Sequence, residues 1–253
     1  MKKIKVAIID SGVREDHPLF KDKKPNVIRL NHFSTEGRCG HGTAIYNIIR
    51  KVEHIADIIN FQITNEEEEI IEDMLIECLE LIYNEYYIDV INISLGLSLC
   101  DNDYLVKLKT ICSKLTNRGT IIVSAFDNLG SFSYPAVFEN VIGVVSMEEC
   151  RKNSDFIFFD DEVINIGANG NTQRLAWDKP DYLIFNGNSF ACAYVTVQVV
   201  KFLNEGYTIQ KDIIDKFKQE FNNISFEDKY YKLCKRPNYK SKRQTYLPIK
   251  NHR

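Results

Sequence analysis

The chain has 253 residues, with 32 Lys and Arg against 35 Asp and Glu and a formal net charge of -3. Its 44% apolar and 26% charged residues are ordinary for a globular protein. That balance offers no overall charge surplus for nucleic acid or for a membrane surface.

Residues 4–9 predict a short, buried parallel strand that runs into a turn at Asp10-Ser11-Gly12. Residues 13–38 read as polar and irregular, and within them Asp16-His17-Pro18-Leu19 supplies a second histidine in a rigid loop. Residues 44–49 begin a helix with His41 in its first turn, and 55–63 read as a strand. The acidic run 66–69 suits a helix amino end, where the dipole favours negative charge, and reads as a cap and solvated face rather than a metal site. From Ile70 to Ile82 apolar residues recur every three or four positions, the stripe of a core-facing helix. Residues 90–93 predict a second buried strand, 104–115 an amphipathic helix stopped near Gly119, 120–125 a third strand and 141–145 a fourth. Residues 150–186 suggest loops and short β segments, 189–203 a helix stopped by Gly206, and 209–221 another helix. Strands alternating with helices at this spacing imply a parallel α/β sheet with helices on both faces. One domain over 1–253 is expected, large enough to bury roughly 70–75% of its unfolded surface without staples. The Lys, Arg and Tyr-rich residues 229–253 read as a surface tail or strap.

Three polar motifs interrupt this pattern: Asp10-Ser11-Gly12, Gly40-His41-Gly42-Thr43 and Gly187-Asn188-Ser189-Phe190-Ala191. Singly each has a plain structural reading, as an Asx turn, a capping or buried histidine, and a helix N-cap. Together they place Asp, His and Ser in the chain order of subtilisin. Ser124-Ala125-Phe126-Asp127-Asn128 and Asn92-Ile93-Ser94-Leu95-Gly96 extend the match, as does Ser133-Tyr134-Pro135-Ala136. Over about 4–205 the sequence resembles the subtilisin-like serine proteases, the S8-type peptidases.

The resemblance implies a three-layer α/β fold and a serine endopeptidase that works through an acyl-enzyme. Ser189 would attack, His41 would carry the proton, Asp10 would orient His41, and Asn128 would hold the oxyanion. His17 is the rival base. Substrate would bind as an extended strand beside Ser94, Leu95 and Gly96. A pocket for the residue before the cut would be formed by Ala125, Phe126 and Asp127 and closed near Ser133. Asp127 raises a preference for Arg or Lys there, against the plainer reading that it caps a turn. Catalysis requires no cofactor and no metal, and a structural calcium is left open.

The chain departs from the family pattern at Asn188, usually Thr, at Ala193, usually Pro, and around Gly167-Ala168-Asn169. Secreted relatives carry an export signal and a propeptide, but the Asp-bearing strand begins near residue 4. The resulting expectation is a cytoplasmic protease of narrow specificity, such as one that removes a leader from a modified peptide precursor, with room for a separate inhibitor or activator protein. No run is long enough to span a bilayer. The alternative is a catalytically silent peptide-binding scaffold on the same fold. Seven scattered cysteines suggest reduced thiols, with Cys39 and Cys192 close enough to the triad to confer thiol sensitivity, although packing explains them more simply.

Overall fold

A computed structural model describes residues 3–30, 39–64, 72–97, 101–128, 133–159 and 163–224. The acidic run 66–69 and the basic tail 229–253 lie outside these residues.

The centre is a nine-stranded sheet. Its strands are β1 (Ile4–Asp10), β2 (Asn26–Arg29), β3 (Ala56–Gln62), β4 (Val90–Ile93), β5 (Ile121–Ala125), β6 (Ile142–Ser146), β7 (Phe156–Phe159), β8 (Ile166–Ala168) and β11 (Asn222–Ile224). They lie in the order β11-β7-β8-β6-β5-β4-β1-β3-β2. All neighbours are parallel except β7 and β8. A separate antiparallel pair is formed by β9 (Gln173–Ala176) and β10 (Tyr182–Phe185).

The inner strands are apolar on both faces because both are covered, as a parallel sheet requires. In β1, Val6 and Ile8 join one core and Ala7 and Ile9 the other. The first core is filled by α1 (Gly40–Ile49), α4 (Asn188–Glu205) and α5 (Gln210–Glu220). The second is filled by α2 (Glu72–Glu85) and α3 (Asn102–Asn117). The three-layer architecture expected from the sequence is therefore present. Helix α4 is the central helix: it packs on α1 and against β4, β5, β6 and β8. Its buried residues surround its axis, which suits a helix enclosed by protein. It ends at Gly206, whose φ of 106° is left-handed.

Two strands lie outside the elements expected from the sequence. Residues 26–29 were expected to be irregular, but Asn26–Arg29 forms the edge strand β2, half-buried and lacking a continuous apolar run. β11 pairs with β7 beyond the helix expected over 209–221. Between β1 and β4 the connections diverge: β1 leads outward to the edge strand β2, which returns through α1 to β3, whereas β4 leads through α3 to β5 on the other side. Open α/β sheets bind ligands in the crevice at the carboxyl ends of such a strand pair.

Candidate active site

Asp10 is the last residue of β1, and only 5% of it is exposed. Its Oδ1 accepts from the Ser11 backbone N–H at 2.7 Å and from His41 Nδ1 at 2.8 Å. With Nδ1 donating to the carboxylate, Nε2 is the ring nitrogen that can accept a proton. His41 sits in the first turn of α1, its ring tilted against Phe190 at 5.8 Å. Two glycines let α1 approach the loop after β1. A Cβ on Gly42 would come within 2.0 Å of the Gly12 carbonyl oxygen and 3.1 Å of Asp10 Oδ1. The Gly42 N–H donates to Ser11 Oγ at 3.1 Å, which fixes that approach.

Ser189 lies in the first turn of α4, where backbone N–H groups have no intrahelical acceptor and the helix end is positive. Its hydroxyl donates to the Ser94 carbonyl at the end of β4, at 2.9 Å. Behind it a buried polar network joins β4 to α4. Asn92 Nδ2 donates to Thr196 Oγ1 at 2.8 Å and to Cys192 Sγ at 3.2 Å. Ser94 Oγ donates to Asn92 Oδ1 at 2.8 Å.

Asn128 is exposed beyond the end of β5. Its Oδ1 accepts from the Asn188 backbone N–H at 2.9 Å, which leaves the Nδ2 donor for the cleft. Gly187 keeps this corner open: its φ is 156°, and a Cβ there would come within 3.3 Å of Asn128 Oδ1.

Asp10, His41, Ser94, Leu95, Gly96, Phe126, Asp127, Asn128 and Ser189 line one cleft of about 290 Å³. Ser11, the middle residue of the Asp10-Ser11-Gly12 motif, and Thr64, which no motif announces, complete the lining. Ala125 and Ser133 do not line the cleft but stand behind it. Ser133 is fully buried and bridges the two walls. Its Oγ accepts from the Asp127 N–H at 2.9 Å, and a Cβ on Gly96 would come within 2.7 Å of that Oγ. Adjacent Tyr134 exchanges backbone hydrogen bonds with Leu97 at 2.9 and 3.1 Å. The ring of Phe126 packs toward β6, where a Cβ on Gly143 would lie 2.7 Å from it.

His17 is elsewhere. It is fully buried, its Nδ1 accepts from the Leu19 N–H at 3.1 Å, and its Nε2 lies 2.9 Å from the Asp181 carbonyl oxygen. A carbonyl can only accept, so that nitrogen carries the proton. Both ring nitrogens are engaged, Nδ1 within the loop after β1 and Nε2 in pinning that loop to the β9–β10 hairpin. Arg14 reinforces the pin with a 2.6 Å ion pair to Asp181.

Cys192 is fully buried, and burial pushes its thiol well above the ordinary range. Burial likewise pushes the Cys112 thiol up to about 12. Such thiols carry almost no thiolate at neutral pH and react poorly. Cys39, half-buried beside α1, is the more accessible thiol near His41.

Among the described residues, no helix is long and apolar enough to cross a membrane, and no cluster of three His, Cys, Asp or Glu is placed to hold a metal ion.

The model of the subtilase family (peptidase S8) matches residues 1–211. The chain is 25% identical over 190 residues to subtilisin-like protease SBT6.1 of Arabidopsis thaliana, covering 70% of this chain and 17% of that protein. It is 24% identical over 188 residues to the human membrane-bound transcription factor site-1 protease, covering 70% of this chain and 16% of that protein. The chain thus spans about one sixth of the length of these relatives. Among solved structures, a cold-adapted subtilisin-like serine proteinase superposes with a TM-score of 0.62 at 18% identity, over 83% of this chain and 79% of that one. The prenylagaramide maturation protease PagA does so with a TM-score of 0.61 at 19% identity, over 80% and 76%.

Proposed function

Because the chain belongs to the subtilase family, we propose that it is a serine endopeptidase that cleaves peptide bonds through an acyl-enzyme on Ser189. The observation that carries this reading is convergence. Asp10 from β1, His41 from α1, Ser189 from α4 and Asn128 from the end of β5 meet at one cleft. Asp10 and His41 are already joined at 2.8 Å.

The proton that Ser189 shares with the Ser94 carbonyl is the one His41 must take as Oγ attacks. His41 Nε2 then returns it to the leaving amine, while buried Asp10 holds the tautomer and stabilises the imidazolium. The Asn128 amide and the Ser189 backbone N–H hold the developing oxyanion. Ser94–Gly96 form the wall on which the substrate backbone lies extended. Labelling the protein with a fluorophosphonate tests the assignment, expecting one adduct by intact mass, mapped to Ser189. No adduct on folded protein would favour the silent peptide-binding scaffold.

The substrate residue before the cut is small. Buried Ser133 stands behind both Gly96 and Asp127, its Oγ accepting from the Asp127 N–H at 2.9 Å, so on this reading the space between the two walls is too shallow for a long side chain. This replaces the basic preference that Asp127 suggests in the sequence. In a peptide panel, Gly, Ala or Ser at that position is expected to be cut faster than Arg or Phe by about 10²-fold in kcat/KM, given that a single misfitted methylene is worth 10- to 200-fold. An Arg preference would overturn the slot assignment.

Gly42→Ala tests the approach of α1 to β1. Its new Cβ cannot share space with the Gly12 carbonyl, so α1 must back away and stretch the Asp10–His41 bond. Displacements of about 1 Å at a catalytic group cost on the order of 10²-fold, which is the loss in kcat expected on a peptide the wild type cuts. Unchanged kcat would show that the two glycines do not set the triad.

A shallow slot favours narrow specificity. A processing role, such as removal of a leader from a modified peptide precursor, fits it and parallels the maturation protease among the structural neighbours. An inhibitor or activator protein would then restrain or license the activity.

A further inference from the structure

We propose that Asn188 is a positioning residue that fixes the oxyanion donor Asn128; this rests on the role given to Asn128 above. Asn188 is the first residue of α4 and immediately precedes the nucleophile. Every polar group of its side chain is used. Nδ2 donates to the Phe126 carbonyl at 3.1 Å and to the Asp127 carbonyl at 2.7 Å. Oδ1 accepts from the Ser146 N–H at the end of β6, at 2.7 Å. These partners fix the amide's orientation, since the flipped amide would set NH₂ against an N–H and oxygen against two carbonyls.

The consequence falls on Asn128. Among the described residues its side chain makes one hydrogen bond, to the Asn188 backbone N–H. Being exposed, it has little packing to hold it. What holds its position is the backbone just before it, and the two carbonyls of that backbone are gripped by Asn188. One residue thus ties the oxyanion donor, the turn carrying Ser189 and the end of β6 into a single unit. A hydroxyl side chain could not do so, because it has one proton and two carbonyls must be served. Preorganised donors are effective because they need not be reoriented as charge develops. Loosening Asn188 therefore weakens the contribution of Asn128 without touching substrate.

A double-mutant cycle on the full chain tests this, with a fluorophosphonate as probe. Ser189 Oγ bonds to phosphorus, fluoride leaves, and the proton passes to His41, so negative charge on the phosphoryl oxygen reports on the oxyanion site without a known substrate. The limiting rate and half-saturating concentration are read for wild type, Asn128→Ala, Asn188→Ala and the double variant. Asn128→Ala should lower the limiting rate by about 10²–10³-fold, as loss of one such donor does. Asn188→Ala should lower it by about tenfold or more, with the half-saturating concentration unchanged. In the Asn128→Ala background it should add less than about twofold, because positioning an absent donor has no value. Should alanine at 188 prevent folding, Asn188→Ser completes the same cycle with a helix-capping side chain. If the two losses multiply, or Asn188→Ala costs nothing while Asn128→Ala costs 10²-fold, the positioning role is overturned. If Asn128→Ala itself costs nothing, the oxyanion reading fails, and this proposal with it.

Discussion

Ser189→Ala is expected to lower turnover by about 10⁶-fold, the size of the loss when a subtilisin triad is deprived of its serine alone. The substitution removes one oxygen whose described partner is the Ser94 carbonyl. That carbonyl lies at the cleft, where solvent can replace the lost donor. The turn around Ser189 is held by other groups, through Gly187, Asn188 and the buried Asn92–Thr196 bond. Folding should therefore survive, and the activity lost should reflect chemistry. A residual rate about 10³-fold above uncatalysed hydrolysis would be consistent with an intact oxyanion site and substrate wall. The check is kcat on a peptide the wild type cuts, together with fluorophosphonate mass labelling. Labelling that persists in the variant would move the nucleophile elsewhere.

Asp10→Asn carries the next largest expectation, a fall in kcat on the order of 10⁴-fold with little change in KM, as when the corresponding triad carboxylate is replaced by its amide. Oδ1 accepts from both His41 Nδ1 and the Ser11 N–H. An asparagine oxygen can keep both bonds, so geometry is nearly preserved. A flipped amide would point its NH₂ at the Ser11 N–H, which disfavours the flip. What would disappear is the buried negative charge facing an imidazole that, in the proposed mechanism, becomes cationic during attack. A loss of less than tenfold would mean that Asp10 holds the loop and not the cation. Asp10→Ala should be worse for stability, because it strips the acceptor from the Ser11 N–H in a buried corner.

Much of this was legible in the sequence, for physical reasons. β1, β4, β5 and β6 are covered on both faces, so they appear as short apolar runs that alternating or exposed segments would not produce. Asp10, His41 and Ser189 follow or open such elements, and their glycine neighbours mark the close approaches now seen at Gly42 and Gly187. β2 was hidden because an edge strand of Asn-Val-Ile-Arg need bury only part of itself. The segments of 156–185 were blurred because strands of three or four residues are too short for periodicity to show. Asn188 appeared only as a departure from a family pattern. Its partners, Phe126, Asp127 and Ser146, lie 42 to 62 residues away and become neighbours only once β5 and β6 lie side by side. Ser133 is expected from the resemblance to close the pocket, but its placement behind Gly96 depends on a contact between distant segments that no local pattern encodes.

The order of strands in the sheet has one further consequence. β2, β3, β1 and β4 form one contiguous half, and β5, β6, β8, β7 and β11 form the other, with a single seam where Val90–Ile93 meets Ile121–Ser124. The amino-terminal half owns Asp10, His41 and the Ser94–Gly96 wall; the carboxy-terminal half owns Asn128, Asn188 and Ser189. Neither fragment holds a complete site, and the cleft lies on the seam itself. A chain divided between β4 and β5 would consequently be inert as separate pieces and regain its cleft only by zipping that seam, so reassembly of the halves would itself be the on-switch.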